Sequence, residues 1–579
     1  MNVHPIALSA ALLFVSCAHA DQIDDIVKAE MAMRQIPGLS LAIIENGKIV
    51  KAQGYGFTEK GGKTPVTTRT LFQAGSVSKP VAAFGALHLV AQSKLALDED
   101  VNAKLLSWKV PDNDLSAENK VTLRRLLSHN AGLTVHGFPG YATDARMPSV
   151  VQVLNGEPPA NTAPIRVDLV PGSKVRYSGG GYTVMQQMVV DVSGQTFPDY
   201  MRDAVLKPLQ MNDSSYLQPP LPEAAQLNAS GHLADRGMVK GRWHLYPEMA
   251  AAGLWTNASD LARFAIGVQQ SLAGTSNPVI PAALTEQMLT PQKENVGLGL
   301  FLNGSGRAQR FSHGGRDEGF DTLLTAFSRT GQGAVIMINA NDNSRMMERL
   351  TAAIGRAYHW PEADDDKAVQ HPGVKIDARS LALYSGRYEF SNNRMGTFDV
   401  RDGKLVTIFD GLPDEVFVPA DASHFYSTSR NFSLAFVVDA KGEVTEVVMT
   451  TKGESNTAPR IGPLMHNLKA RKDPNPAHTK NVQAWLADAA KGGSAFANSA
   501  FATAGLRSDL GSQSISELAH INSLTFLHKQ AVAGRKIERH GSQVDTVLAF
   551  QAGGIKPARK LLVYLTTDGL LTDYDLIDD

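Results

Sequence analysis

The chain has 579 residues and a single cysteine, Cys17. That cysteine falls in a segment read below as removable, which leaves a mature protein with no disulfide and no thiol nucleophile. Its fold must rest on hydrophobic cores alone, as its length allows. A nucleophile would have to be serine, threonine or a metal-bound water. Excess charge of one sign is also missing. The 56 basic residues face 57 acidic ones, for a formal net charge of −1, so no global field recruits nucleic acid or an anionic membrane. The 16 histidines are scattered. None belongs to a His-Glu-x-x-His or Cys/His cluster, so no metal and no cofactor is expected. No apolar run is long enough to span a bilayer.

What is present reads as soluble and globular, with 43% hydrophobic and 20% charged residues. The length predicts two to four domains. Ile6 to Val15 is a short apolar stretch, and Ala18-His19-Ala20 is a small-x-small cleavage site. Together they predict a secretory signal over residues 1–20, hence a secreted or periplasmic protein with no transmembrane span once the signal is removed. The alternative is a lipoprotein acylated at Cys17, a pattern that Phe14-Val15-Ser16 fits poorly.

Two charged, proline-bearing, aperiodic stretches act as linkers: His359 to Lys367 running on to His371-Pro372-Gly373, and Lys469 to Pro476. They divide the mature chain into 21–362, 375–467 and 477–579. The first segment mixes helices and strands. Leu39 to Ile44, Asn46-Gly47 and Lys48 to Val50 predict a hairpin, and Ala334 to Asn339 a late buried strand. These should share one antiparallel sheet with helices on its faces, an α+β architecture. The second segment carries two hairpin patterns, Phe398–Ile408 around Asp402-Gly403 and Phe432–Met449 around Ala440-Lys441-Gly442, and predicts a small all-β barrel or sandwich. The third predicts a small α+β unit, with a helix near Val482 to Ala490, strands at Val544–Phe550 and Leu561–Leu565, and a turn at Asp568-Gly569.

The chemistry gathers around Phe72-Gln73-Ala74-Gly75-Ser76-Val77-Ser78-Lys79. In a helix beginning there, positions three apart lie on one face, which brings the Lys79 amine to the Ser76 hydroxyl. A hydroxyl becomes a good nucleophile only when a neighbouring base takes its proton. A desolvated lysine can be that base, because burial populates the neutral amine. Gly75 permits a tight entry, Pro80 is tolerated in a first turn, and the apolar run from Val81 predicts a buried helix.

Two further stretches give this pair a context. Pro171-Gly172-Ser173-Lys174-Val175-Arg176-Tyr177-Ser178-Gly179-Gly180-Gly181-Tyr182 lies downstream, followed by Phe311-Ser312-His313-Gly314-Gly315 before Phe320. With Ser76–Lys79 they resemble, in order and spacing, the three motifs of the serine β-lactamase and penicillin-binding protein superfamily. The likeness is to its class C β-lactamase, D-alanyl-D-alanine carboxypeptidase and esterase branch, over roughly residues 24–358. Leu126 to Leu133 and Ala252 to Leu261 are similar to secondary landmarks of that branch.

The resemblance implies a β-lactamase/transpeptidase-like fold and a serine hydrolase acting through an acyl-enzyme on an amide or ester carbonyl. The partner would be a small-molecule or peptide acyl substrate: a D-amino-acid peptide, a β-lactam or a short acyl ester. It further implies that Ser76 is acylated, that Lys79 and Tyr177 handle protons, and that His313 faces the substrate carboxylate or the tyrosine. It places the oxyanion between the N–H groups of Ser76 and Arg316. Gly314 and Gly315 are expected to let the backbone approach the substrate. A phenol would need the Lys79 charge beside it to serve as a base. The second motif ordinarily ends in asparagine, whose amide binds the substrate's acyl-side amide; Gly179 stands there instead, which argues against efficient β-lactam or peptide turnover. His129 and Asn130 are expected to be architectural, and Asp260 to cap or brace a helix. The rival reading is a penicillin-binding sensor or scaffold that acylates without turnover.

Overall fold

The computed structural model of the protein describes residues 22–221, 226–342 and 345–361. From 371 to 578 it describes all but 372, 391–393, 409–414, 430, 452–453, 492–494, 497, 510–517, 536 and 556–557. The expected signal segment and most of the first expected linker lie outside the described residues. The chain divides into two compact units, residues 1–361 and 362–579.

The first unit is built on a six-stranded sheet. Its strands are β1 (Gly38–Glu45), β2 (Lys48–Gly56), β3 (Phe301–Asn303), β4 (Arg310–Asp317), β5 (Phe320–Phe327) and β6 (Gly333–Ile338). They run in the order β2-β1-β6-β5-β4-β3, and every neighbouring pair is antiparallel. Thus the early hairpin and the late strand do pair directly, Leu39 opposite Ile338 and Ile43 opposite Ala334. Asn46 (φ 52°) and Gly47 (φ 69°) both turn left-handed, as a two-residue hairpin turn requires.

Strand β1 is apolar on both faces because both faces are covered. Leu39, Leu41 and Ile43 pack with the helix over 22–34 and the helix Arg345–Ala357. Ala42 and Ile44 point the other way, into the larger core, as the two-residue period dictates. That core is completed by three long helices: α1 (Ser78–Ala91), α2 (Gly179–Ser193) and α3 (Ala258–Leu272). Helix α1 is buried almost all round, which explains why its sequence is apolar without a polar face. Among the described residues no helix is long and apolar enough to cross a membrane.

The second unit contains a closed barrel of eight strands from Gly386–Phe390 to Glu454–Gly462, the last pairing back onto the first. Aromatic residues such as Tyr388, Phe398, Phe417 and Phe436 fill its interior. A four-stranded antiparallel sheet follows, with strands Ser523–Ala531, Thr546–Gly553, Arg559–Leu565 and Leu571–Asp578. Val482, Trp485 and Leu486 of the helix Pro476–Lys491 belong to the same core as this sheet. Barrel and sheet share a further core, in which Ile461 and Met465 meet Leu527, Val547 and Leu562.

Candidate active site

Gly75–Val77 forms a single 3-10 turn, and α1 starts at Ser78. The turn is wedged against β4. Gly75 is left-handed (φ +52°), and a Cβ there would sit 2.4 Å from the Arg316 nitrogen. A Cβ on Gly315 would come within 2.0 Å of the Ala74 carbonyl oxygen. Two glycines therefore let the segment carrying Ser76 and the strand carrying Arg316 touch backbone to backbone. Gly315 is small for the sake of the serine turn, whereas Gly314 faces open space. Behind the turn, the Ala74 N–H donates to the Leu254 carbonyl, and the Leu254 N–H donates to Ser78 Oγ. The landmark at 252–261 thus braces the segment that carries Ser76. Asp260 braces α3, receiving the N–H of Asp213, the Ser214 hydroxyl and the Arg263 guanidinium.

Ser76 is half-buried, whereas Lys79 is 2% exposed. Lys79 Nζ lies 2.9 Å from Ser76 Oγ and donates to the Ala251 carbonyl at 2.8 Å. Burial lowers the amine to about 7, with the Asp317 carboxyl pulling weakly the other way. The neutral amine needed to accept a proton is therefore well populated near neutral pH.

Tyr177 lies beside this pair, its ring centroid 4.9 Å from Lys79 Nζ. Burial raises its phenol well above the ordinary value, and a hydrogen bond with the Ser76 side chain lowers it only partly. That shift favours the protonated phenol over a phenolate. Aromatic rings box it in: His129 at 4.2 Å, His136 at 4.9 Å, His313 at 6.1 Å and Phe301 at 6.3 Å between centroids. The 126–133 landmark holds the second motif in place. The His129 carbonyl accepts the Arg176 N–H, the Asn130 carbonyl accepts the Gly172 N–H, and His129 Nδ1 accepts the Ser178 N–H. Ser178 caps α2 through the Gly181 N–H, and Gly179 opens that helix against Phe138.

His313 is 3% exposed. Its Nδ1 is 2.6 Å from the Gly314 carbonyl oxygen; a carbonyl only accepts, so Nδ1 carries the proton and Nε2 presents a lone pair. Burial and the Lys79 charge push the imidazole down to about 3. His129 is likewise held well below its ordinary value by burial, then by Lys79 and His313. Both shifts favour the neutral imidazole at His129 and His313. The Arg316 guanidinium is engaged by Asp321 through two contacts of 2.8 and 3.0 Å. Asp317 accepts the Gly75 N–H, and burial raises its carboxyl well above the ordinary range.

The sequence profile of the Beta-lactamase family matches residues 23–359, more than half of the chain. The protein belongs to the Beta-lactamase family. Protein flp of Staphylococcus aureus (strain N315) is 23% identical over 347 residues, which is 58% of this chain and 66% of flp. The chain thus spans just under two thirds of that relative's length. Penicillin-binding protein 4 of Amycolatopsis lactamdurans is 27% identical over 273 residues, 46% of this chain and 68% of that protein. A solved class C β-lactamase superposes with a TM-score of 0.48 at 20% identity, covering 59% of this chain and 98% of its own.

In this Beta-lactamase family member the structure brings Ser76, Lys79, Tyr177 and His313 together, with Gly315 and Arg316 behind the serine. Sequence reasoning missed four neighbours. His129 is architectural as expected, yet its ring also lies on Tyr177. Phe301 and His136 flank the same phenol, placed there by the short strand β3 and by a loop, both distant in sequence. Asp317 had a legible signal, since a two-residue period puts it on the same face of β4 as His313 and Gly315. Glu248 precedes the short helix Met249–Ala252, whose Ala251 carbonyl receives Lys79. Burial raises its carboxyl to about 8.

Proposed function

We propose that the protein is a secreted serine hydrolase that cleaves an amide or ester carbonyl through an acyl-enzyme on Ser76. The observation that carries this reading is the 2.9 Å approach of Lys79 Nζ to Ser76 Oγ by an amine lowered to about 7. Neutral Lys79 takes the Ser76 proton as the oxygen attacks. The oxyanion then forms against the N–H groups of Ser76 and Arg316, where two fixed dipoles stabilise it. The proton passes through the Tyr177 phenol to the leaving group, which departs as alcohol or amine. Water attacks the acyl-enzyme with Lys79 again as base, releasing the acid and restoring Ser76. Neutral His313 offers an acceptor lone pair rather than a cation, which disfavours substrates held by a free carboxylate. The leader at residues 1–20 would send the chain out of the cytoplasm.

The test is incubation with a fluorophosphonate probe, a fluorescent penicillin and a chromogenic short-chain ester. Ser76 is expected to take the fluorophosphonate, and at least one acyl substrate should turn over. Ser76→Ala should abolish both; turnover undiminished in that variant would remove the assignment. Stable labelling by penicillin with no turnover of any substrate would replace the hydrolase by a slowly acylating sensor.

A further inference from the structure

Glycine at 179 is not explained by its backbone, because Gly179 is absent from the left-handed positions of the chain. Space explains it instead. A Cβ at 179 would lie 2.9 Å from Phe138 Cε2 and 3.0 Å from the His136 carbonyl oxygen. That carbonyl accepts the Gly179 N–H at 2.9 Å, so loop and helix are already in register. The loop is held from its other end as well. The Pro139 carbonyl accepts from His244 Nδ1 at 2.9 Å, and Tyr141 pairs with Leu245. Phe138 is half-buried and packs on the main core, so its ring is fixed on one side and accessible on the other. It stands two residues from His136, whose ring lies 4.9 Å from Tyr177.

We infer that Phe138 is a specificity-determining residue: its ring occupies the room a side chain at 179 would use and makes the substrate's acyl side an apolar wall, so that this site takes esters with an unsubstituted apolar acyl chain. The inference rests on the hydrolase reading above, and on the expectation that position 179 faces the acyl group. The rest of the wall agrees with it. Phe301 lies parallel to Tyr177 at 6.3 Å, and burial favours the neutral form of His129 and His313. A polar substituent next to the carbonyl would lose its water against these rings and gain no amide partner from Gly179, so it would be rejected rather than bound.

The experiment compares p-nitrophenyl butanoate with p-nitrophenyl N-acetylglycinate, two esters with one leaving group that differ in the acyl side. Each kcat/KM is divided by that ester's hydroxide-catalysed rate. The wild-type protein should favour the butanoate by about tenfold or more. Phe138→Ala/Gly179→Asn, which removes the ring and supplies an amide, should narrow or invert that ratio, with fluorophosphonate labelling of Ser76 reporting an intact site. A wild-type ratio near one overturns the inference even if no variant folds. A wild-type preference left unchanged in a labelled double variant overturns it as well. Turnover of neither ester, with no labelling at Ser76, removes the hydrolase reading itself and this inference with it.

Discussion

Among the buried basic side chains of the described residues, Lys79 in the first unit and Arg539 in the second have been treated in opposite ways. Arg539, in the second unit, is 1% exposed and surrounded by counter-charge. Its Nε and Nη2 donate to the two oxygens of Glu389 at 2.5 and 2.6 Å, its Nη1 donates to Asp573 at 2.6 Å, and the Tyr564 ring lies 4.1 Å away. Those partners outweigh burial and hold the guanidinium above its already high value. Lys79 is as deeply buried, but its hydrogen bonds go to a hydroxyl and a carbonyl, both neutral. Burial then dominates, and the amine falls to about 7. Arg539, with carboxylates around it, braces barrel and sheet; Lys79, without them, has the electrostatics that a base requires. The residue types suit these ends, since lysine shifts its pKa readily and arginine stays charged.

The largest expected effect tests the unpaired member. Lys79→Met keeps the volume and removes the amine. Turnover should fall by about two to four orders of magnitude, the range for losing a general base. The same variant should be as stable as the wild type or more so at pH 6, since it no longer buries an amine that water would keep charged. Steady-state kinetics and thermal unfolding of the full chain check both halves. A variant that loses stability while keeping its rate would make Lys79 a second brace and end the contrast.

The paired member should behave the other way. Arg539→Met leaves Glu389 and Asp573 buried without their cation, and breaking such a network by removing one partner costs about 3–5 kcal/mol. Amide exchange in the strands Gly386–Phe390 and Leu571–Asp578 should accelerate accordingly. Replacing the three residues together by apolar side chains should recover much of that loss, because the cost lies in the stranded carboxylates. Unchanged exchange in the single variant would show the network to be dispensable.

The same contrast marks what could be read from the sequence. Local signals were legible. The three-residue spacing from Ser76 to Lys79 holds, and the hairpin turns at Asn46-Gly47 and Asp402-Gly403 have the positive φ values their residues predict. The antiparallel sheet follows from apolar strands with a known period. Contacts that depend on distant closure were not legible. Nothing in Gly386–Phe390 announces that it pairs with Glu454–Gly462 to shut the barrel. Nothing near His129 says that its ring will rest on Tyr177, 48 positions away by their numbers. Arg539 and Glu389 look like ordinary surface charges until the fold buries them. Lys79 is legible because Ser76 lies three residues earlier, in the 3-10 turn that leads into its helix.

The smallest and sharpest test is the pH at which activity appears. Lys79 must lose its proton to act as base, so kcat/KM should rise by about tenfold per pH unit below 7 and level off above it. The rings of His313, His129, Tyr177 and Tyr182 do not share that range. His313 is pushed down to about 3, His129 is held well below its ordinary value, and Tyr177 and Tyr182 stand well above theirs. Asp317, the carboxyl whose field reaches Lys79, is raised by burial. Glu248, raised to about 8, is the group whose titration could imitate the limb. Glu248→Gln removes it without adding charge and should leave the limb near 7. Asp317→Asn removes a carboxyl that favours charged Lys79 only when ionised, so any movement of the limb should be to lower pH. Stability follows the same proton with a definite sign. Between about 7 and the ordinary lysine value the unfolded chain holds a proton on Lys79 that the folded chain does not. Stability from this residue therefore rises with pH across that window, and its burial penalty is fully present below it. A limb that moved with Glu248→Gln would assign the titration to that carboxyl and deprive the unpaired lysine of its role.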